Sequence, residues 1–265
     1  MDLPRNYSVR NNSTKERTLK ADPFAQLSLL DLQAQDSTLA QLTHRKNSLP
    51  EHATIAELSA EAAEINGQRI EADTTLSDLT RDQRKADGEV EQVKARRVRD
   101  EERMNSGQIS NAKDLSSMQH EIVALDRRIA TLEDEELEVM EAVEEAQSRL
   151  NALTAELAGI NDTLEAAASA RDARVVAIDK EAGEAVAERE LIAHKVPDDL
   201  ITLYDKIRKQ YGGLGAAALR ARRCEGCRLE LNGADLRELI AQPDNDVLRC
   251  PECDRILVRT PESGI

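Results

Sequence analysis

The chain has 265 residues, a third of them charged, and a formal net charge of −15 at pH 7. One Phe, three Tyr and no Trp leave little bulky material for a large globular core, and the abundant Ala, Leu, Glu and Arg are typical of long helices and coiled coils. No run of about 18 apolar residues occurs, and the N-terminus lacks an apolar secretory segment. We therefore expect no membrane span and a cytoplasmic location.

The charge is distributed unevenly along the chain. Residues 1–20 carry five basic and two acidic side chains, and residues 195–265 carry twelve of each, which leaves −18 on residues 21–194. A solvated coiled-coil surface explains this excess, and such a surface repels nucleic acid and anionic lipid. Residues 1–20 are polar and aperiodic, and we predict that they form a disordered tail.

Two long heptad repeats occupy the middle of the chain. The first runs from Ile55 to Arg97 with ten of thirteen seam positions apolar, and the second runs from Leu115 to Ala167 with fifteen of sixteen apolar. Repeats sustained over this length, with charged residues between the apolar ones, indicate coiled coil rather than a globular helix. The two repeats predict two long helices.

The segments that flank these repeats predict how the helices connect. A short polar stretch containing Gly107 separates two arms of similar length, so residues 21–195 are predicted to form an antiparallel helical hairpin with its tip at about 105–113. Pro50 is favourable in the first turn of a helix, and we expect a helix break near 47–50.

A short connecting helix is predicted within residues 196–213. Pro197 ends the preceding arm, and the Gly212-Gly213 pair stops the new helix. Its apolar face consists of Leu200, Tyr204, Ile207 and Tyr211. We expect these two tyrosines to pack rather than to serve a chemical function.

All four cysteines of the chain lie in two C-x-x-C pairs, Cys224 with Cys227 and Cys250 with Cys253, separated by 22 residues. Two residues between cysteines let both thiolates of one tight turn reach a single ion, and two such turns complete a tetrahedral shell. Four protein ligands leave no position for water or substrate, so we predict one structural Zn²⁺. Four reduced surface thiols, or two disulfides in an exported protein, are the alternatives.

The remaining C-terminal residues, 214–265, are predicted to form a small β zinc ribbon around this site. Strands are expected at 216–223, 228–231, 246–249 and 255–259, with a helical insert at 234–241. About fifty residues are too few for a good hydrophobic core. Zinc is therefore expected to supply much of the folding free energy of this segment.

These features together resemble a bacterial family of proteins in which a long coiled-coil hairpin precedes a C4-type zinc ribbon. The resemblance covers nearly everything after residue 20, and the sequence looks most like an actinobacterial member. Its specific parts are the tip segment 106–115, the helix 203–208 before the glycine pair, the Cys-x-Gly-Cys and Cys-Pro-x-Cys pairs, and the run Arg255-Ile256-Leu257.

The resemblance implies a role as an adaptor or chaperone, because some members in flagellated or secreting bacteria look like adaptors or chaperones for export components. Two positions depart from the family pattern. Asn105 stands where many members have an aromatic residue, which weakens a binding role for the tip. Asp254 stands where a zinc knuckle usually has Gly, although Asp tolerates the left-handed conformation better than most residues.

The shape favours a non-enzymatic adaptor or chaperone-like protein that binds other proteins. A long hairpin buries little except its own seam, so its faces and tip remain free for a partner. The candidate partner contacts at the tip are Gly107, Ile109, Asn111 and Leu115. A passive spacer between other segments is the alternative, and the sequence does not identify the partner or the oligomeric state.

A nucleic-acid-binding zinc ribbon with a regulatory role is the second hypothesis. The candidate phosphate contacts are Arg220, Arg222 and Arg223 beside the first knuckle. Nine acidic residues and no aromatic residue in 214–265 argue against it, because single-strand binding generally needs a stacking platform and a basic groove.

An enzymatic function is the least favoured class. The chain has no Gly-rich phosphate loop, and its four histidines are scattered along the predicted coil. A zinc ion with four cysteine ligands activates no water. We therefore expect no catalytic activity.

Overall fold

The computed structural model of the protein describes residues 19–107, 109 and 111–264. Helices dominate, and a small sheet lies near the C-terminus, so the predicted fold class of a mainly α hairpin followed by a β ribbon is confirmed. The helices are α1 (Pro23–Asn47), α2 (Pro50–Asn105), α3 (Ala112–Ala193), α4 (Asp198–Gln210) and α5 (Gly233–Ala241). The strands are β1 (Ala216–Arg220), β2 (Arg223–Cys224), β3 (Leu248–Arg249) and β4 (Ile256–Arg259).

The chain divides into two compact units. The hairpin unit, Pro50–Arg171, contains α2 and most of α3. The base unit combines the described residues up to Leu49 with those from Asp172 onward, and it contains α1, the end of α3, α4 and the sheet.

Within the hairpin unit, α2 and α3 run antiparallel along the seam that the heptads define. Ion pairs show the register, since Lys94 Nζ lies 2.7 Å from Glu133 Oε1 and Arg97 pairs with Asp126. The buried side chains occupy predicted seam positions. They are Ala72, Val90, Leu125, Leu132, Leu153 and Ile160.

The base unit has the principal hydrophobic core of the protein. Asp22 caps α1 by accepting a hydrogen bond from the backbone N–H of Phe24 at 2.8 Å, and Pro23 begins the helix. Leu29 and Leu32 of α1 are fully buried against the end of α3, the apolar face of α4 and the sheet. The buried residues of α4 are Leu200, Tyr204 and Ile207, in agreement with the predicted packing face.

Two residues of the predicted N-terminal tail, Leu19 and Lys20, are among the described residues. The backbone carbonyl of Leu19 accepts from the N–H of Val247 at 2.9 Å, and Lys20 forms a β-bridge with Asp246. Residues 19 and 20 are therefore part of the fold, because they cover the sheet beside β3. The rest of the predicted tail, residues 1–18, lies outside the described residues.

The four strands form one sheet in the order β2-β1-β4-β3. Strands β1 and β4 pair in parallel, with Ala216 opposite Ile256, and the two outer pairs are antiparallel. The expected strand 228–231 is reduced to a single bridge between Glu230 and Arg223.

The ribbon predicted at residues 214–265 shares its hydrophobic core with the helices of the base unit. Ala216, Ile256 and Val258 belong to the same buried cluster as α1 and α4. A sheet of so few short strands cannot cover both of its faces, so one face packs on the helices while the other faces the cysteines.

A buried polar cluster joins the helices of the base unit. The Asp36 side chain, only 1% exposed, accepts from Arg189 Nε at 2.8 Å and lies 3.1 Å from a terminal nitrogen of Arg208. Gln33 Oε1 accepts from the backbone N–H of Gly215 at 2.7 Å and lies 3.1 Å from the hydroxyl oxygen of Tyr204. These bonds tie α1, α3, α4 and the start of β1 together.

Candidate metal centre and its surroundings

The two C-x-x-C pairs come together at one end of the sheet. Strand β2 ends at Cys224, Cys250 follows β3 directly, and Cys253 lies three residues before β4. The Sγ atoms of Cys224 and Cys253 are 3.9 Å apart, as are those of Cys227 and Cys250. All four sulfur atoms lie within 4.8 Å of one another.

These distances fit a tetrahedral metal site. Four sulfurs at about 2.3 Å from a central Zn²⁺ are separated by roughly 3.8 Å from each other. The donor set is four thiols, which suits zinc, and every coordination position is filled by the protein. The site therefore holds one structural zinc ion, with Cys224, Cys227, Cys250 and Cys253 as its ligands.

The two knuckles have the same backbone geometry. In the first, the N–H of Arg228 donates to the carbonyl of Cys224 at 2.7 Å, and in the second, the N–H of Asp254 donates to the carbonyl of Cys250 at 2.8 Å. Both donors have a left-handed conformation, with φ of 62° and 58°. Asp254 thus adopts at this position the conformation for which Gly is usually chosen, and the knuckle closes without one.

A glycine is required inside the first knuckle for a steric reason. A Cβ atom on Gly226 would lie 2.9 Å from the Cβ of Ala217 and 3.1 Å from Cδ of Arg255. The knuckle therefore lies directly on β1, and this contact brings its thiols over the sheet.

Burial influences the protonation of the thiols. Cys224 and Cys250 are buried, and this burial raises the pKa of each thiol above its usual value. Cys253 is also desolvated, but the backbone N–H of Arg255 and other donors outweigh that effect and lower its pKa. Zinc must displace protons from the buried pair when it binds, so binding is coupled to pH.

Two arginines, Arg249 and Arg255, brace the second knuckle. Arg249 donates to the carbonyl of Asp254 at 2.7 Å and pairs with its carboxylate at 2.6 Å. Arg255 stacks 5.3 Å from the ring centroid of Tyr211 and donates to the carbonyls of Tyr211 and Leu214. The run from Arg255 to Leu257 was noted as a family feature, and its arginine attaches the knuckle to the end of α4.

The arginine cluster beside the first knuckle lies on a tight turn between β1 and β2. Both turn residues have positive φ, 46° at Ala221 and 61° at Arg222. The C-terminal segment holds them there, because the carbonyls of Glu262 and Ser263 accept from their two N–H groups. Glu262 also pairs with Arg220 at 2.7 Å.

The three arginines that we predicted as phosphate contacts, Arg220, Arg222 and Arg223, are all exposed, and they lie close to one another at the turn between β1 and β2. Arg220 and Arg223 are direct cross-strand neighbours. The ion pair with Glu262 neutralises part of this patch, and Arg222 Nε contacts the carbonyl of Gly264 at 3.4 Å.

The four predicted partner contacts at the hairpin tip differ in their structural roles. Asn111 accepts from the N–H of Lys113 at 3.0 Å and therefore caps the start of α3. Leu115 is half-buried at the first seam position, while Gly107 is exposed with φ of 69° and Ile109 is half-buried. Positions 108 and 110 of the tip lie outside the described residues.

The chain as a whole can be compared with known proteins. Residues 32–212 match the CT398-like coiled coil hairpin domain, and residues 223–257 match the C4-type zinc ribbon domain. An uncharacterized protein of Mycobacterium tuberculosis H37Rv, Rv2229c, is 34% identical over 91% of this chain and 98% of its own length. The Mycobacterium leprae protein ML1638 is 27% identical over 83% of this chain and 94% of its own length.

Two solved structures have a similar fold. One, from Mycobacterium smegmatis, is 35% identical and covers 91% of this chain and all of its own, with a TM-score of 0.80. The other, CT398 from Chlamydia trachomatis, is 16% identical and covers 89% of this chain and 98% of its own, with a TM-score of 0.64. The chain therefore belongs to the CT398-like coiled-coil hairpin family and carries that family's C4-type zinc ribbon, as the mycobacterial relatives indicate for an actinobacterial member.

Proposed function

We propose that this protein is a non-enzymatic adaptor or chaperone-like protein that binds other proteins through its hairpin. The observation that carries the proposal is that, within the hairpin unit Pro50–Arg171, α2 and α3 expose large apolar side chains that the seam does not use. They are Ile70, Val98, Val123, Leu137 and Met140, with between 36 and 56% of each residue accessible. Side chains of this kind in a highly charged coil favour a protein contact over a passive spacer.

The metal site supports a structural rather than a catalytic role for zinc. Its four ligands are cysteines, and the sheet on which they lie is continuous with the core of the base unit. None of the helices in the described part of the chain is long and apolar enough to cross a bilayer. The four cysteine ligands and the shared core agree with a protein that presents a stable surface to a partner.

The test is capture of a partner by full-length protein with native or altered coil surfaces. Replacing residues 105–113 by a plain Gly-Ser turn removes the exposed tip and keeps the heptads of both arms. Lost capture would place the contact at the tip, and retained capture would place it on the sides of the coil. If neither this variant nor one with polar side chains at the five exposed apolar positions changes capture, the hairpin is a spacer.

Nucleic-acid binding is the second candidate function, and one observation favours it. The turn residues Ala221 and Arg222 both adopt a conformation that costs non-glycine residues of order 1–3 kcal/mol each, and this turn displays Arg222 and Arg223. Few phosphates can be neutralised by so small a patch, so affinity should be weak and steeply salt-dependent. Tight, sequence-selective binding at about 150 mM salt that disappears in an R222A/R223A variant would establish this function instead.

A further inference from the structure

The large apolar side chains that are exposed within the hairpin unit, Pro50–Arg171, occupy related positions in the heptad repeat. Each of them directly follows a seam residue. Ile70 follows Arg69, Val98 follows Arg97, Val123 follows Ile122, Leu137 follows Glu136, and Met140 follows Val139. We refer to these five residues as the exposed apolar face.

Helix geometry places these five residues on one side of the hairpin. Successive residues of an α-helix are rotated by about 100°, so the residue after a seam position always turns to the same side of its helix. Viewed from one end of an antiparallel pair, the step from one residue to the next turns counterclockwise in one helix and clockwise in the other. The residues that follow the seam in α2 and in α3 therefore point to the same face of the pair.

The ion pairs between the helices agree with this geometry. Lys94 and Glu133 each follow a seam residue, and their side chains meet at 2.7 Å. Arg96 and Glu121 each precede a seam residue, and they also pair with each other, on the opposite face. The two faces of the hairpin are thus distinct surfaces.

The opposite face is polar and acidic. The α2 residues that precede seam positions include no large apolar side chain, and their acidic members are Glu57, Glu61, Glu64, Glu71, Asp78, Asp82 and Glu89. The corresponding acidic positions of α3 are Asp114, Glu121, Glu135, Glu138, Glu145 and Glu156. Exposed apolar residues would be expected on both faces if they were scattered at random.

The exposed apolar face is long enough to accommodate a helix. From Val123 to Met140 it extends over 17 residues of α3, which corresponds to about 25 Å at the helical rise. The exposed Ala130 lies one heptad from both Val123 and Leu137, so a small apolar side chain continues this row between them. A helix of about five turns could lie along this stretch.

The acidic residues around Leu137 favour a partner helix that carries positive charge. On α3, Leu137 is surrounded at the i−4, i−3 and i+4 positions by Glu133, Asp134 and Glu141. A second copy of this chain is disfavoured, because residues 21–194 of each copy carry −18. We infer that the exposed apolar face binds a basic amphipathic helix of a partner protein, with apolar residues in contact with Leu137 and Met140 and with Lys or Arg on the flanks. This inference rests on the proposed protein-binding function and specifies its surface and ligand.

The test is a titration of the full-length zinc-bound protein with a fluorophore-labelled synthetic peptide of about three heptads, with Leu at the a and d positions and Lys on the flanks. Fluorescence anisotropy should show saturable binding of one peptide per chain. An L137Q/M140Q variant should bind roughly tenfold more weakly or worse, because two apolar anchors are lost. The matched control is A124Q/T131Q, which alters two exposed positions that precede seam residues and leaves the charge unchanged.

Several results would overturn the inference. They are equal affinity of L137Q/M140Q and the native protein, equal binding of a peptide with Glu in place of Lys, and no binding up to millimolar peptide. Sedimentation as a dimer that L137Q/M140Q dissociates would assign the face to a second copy instead. If L137Q/M140Q does not change the affinity for the peptide but replacement of the tip still abolishes partner capture, the proposed function stands and only this inference fails.

Discussion

Tyr204 donates a hydrogen bond from its hydroxyl to Oδ2 of Asp36 at 2.7 Å, and both side chains are buried in the base unit. Burial and then this hydrogen bond raise the pKa of the tyrosine, so it remains a neutral donor at physiological pH. Asp36 in turn holds two guanidinium groups, those of Arg189 and Arg208. One carboxylate of α1 thereby orients residues of two other helices, α3 and α4.

The first prediction concerns this carboxylate. Asp36→Ala should destabilise the protein by about 3 kcal/mol, because it leaves two partly buried arginines and a buried hydroxyl without their common partner. Tyr204→Phe removes only one neutral donor and should cost about 1–2 kcal/mol. Urea unfolding monitored by circular dichroism measures both. A smaller loss for Asp36→Ala than for Tyr204→Phe would contradict this account.

The second prediction concerns zinc. The protein should contain one zinc ion per chain, and Cys250→Ser should disorder the sheet and loosen α1 and α4, which share its core. The hairpin unit has its own seam, so most of the helical circular dichroism should persist. Metal analysis and limited proteolysis test this. A metal-free chain whose C-terminal residues resist proteases would contradict it.

The pH dependence of zinc retention follows from the thiols. Burial raises the pKa of Cys224 and Cys250 in the metal-free fold, so protons compete with zinc more strongly as the pH falls. A chelator should therefore remove zinc more readily at pH 6 than at pH 8. Retention that is independent of pH over this range would show that the thiols are not protonated in the metal-free protein.

The third prediction compares two glycines. A Cβ on Gly215 would lie 2.8 Å from the Tyr204 ring and from its carbonyl oxygen, so Gly215→Ala should destabilise by about 1–3 kcal/mol. Gly183 is exposed within α3 and has no neighbouring atom within 4 Å of such a Cβ. Gly183→Ala should stabilise by about 0.5–1 kcal/mol. Thermal unfolding of the two variants should shift in opposite directions.

The fourth prediction concerns the polar seam residue Glu136. Partial desolvation, together with a hydrogen bond and charge repulsion from Asp87, raises the pKa of Glu136 in the folded hairpin. As the pH falls, Glu136 is protonated at a higher pH in the folded state than in the unfolded state. The repulsion between the two carboxylates therefore destabilises the folded hairpin at neutral pH, and protonation at lower pH relieves it. Glu136→Gln should raise the melting temperature at pH 7 and have a much smaller effect near pH 4.

The control for this prediction is Glu138→Gln, which changes an exposed glutamate two residues away on the acidic face. It loses the same charge without the contact to Asp87. An equal gain in melting temperature from both variants would assign the effect to the net charge of the coil rather than to the carboxylate pair.

The sequence by itself determined the elements with strong periodicity or specific spacing. Heptads from Ile55 and from Leu115 define a seam because apolar side chains must share one stripe, and the C-x-x-C pairs define a four-thiol site because two-residue spacing brings both sulfurs to one ion. These patterns are local, so the fold class, the helical hairpin and the zinc site could be predicted without coordinates.

Only the tertiary structure shows how the N-terminal and C-terminal parts of the chain pack together. Three sets of contacts join residues more than forty positions apart in the chain. They are the packing of α1 and Leu19 on the ribbon, the ion pair of Asp36 with Arg189, and the hydrogen bonds from Arg222 to the C-terminal segment. Such contacts leave no periodic pattern in the sequence, because each depends on which surfaces remain uncovered after the helices and strands have formed. A sheet of four short strands cannot cover itself, and this shortage of apolar cover makes the ribbon part of the helical base rather than a separate domain.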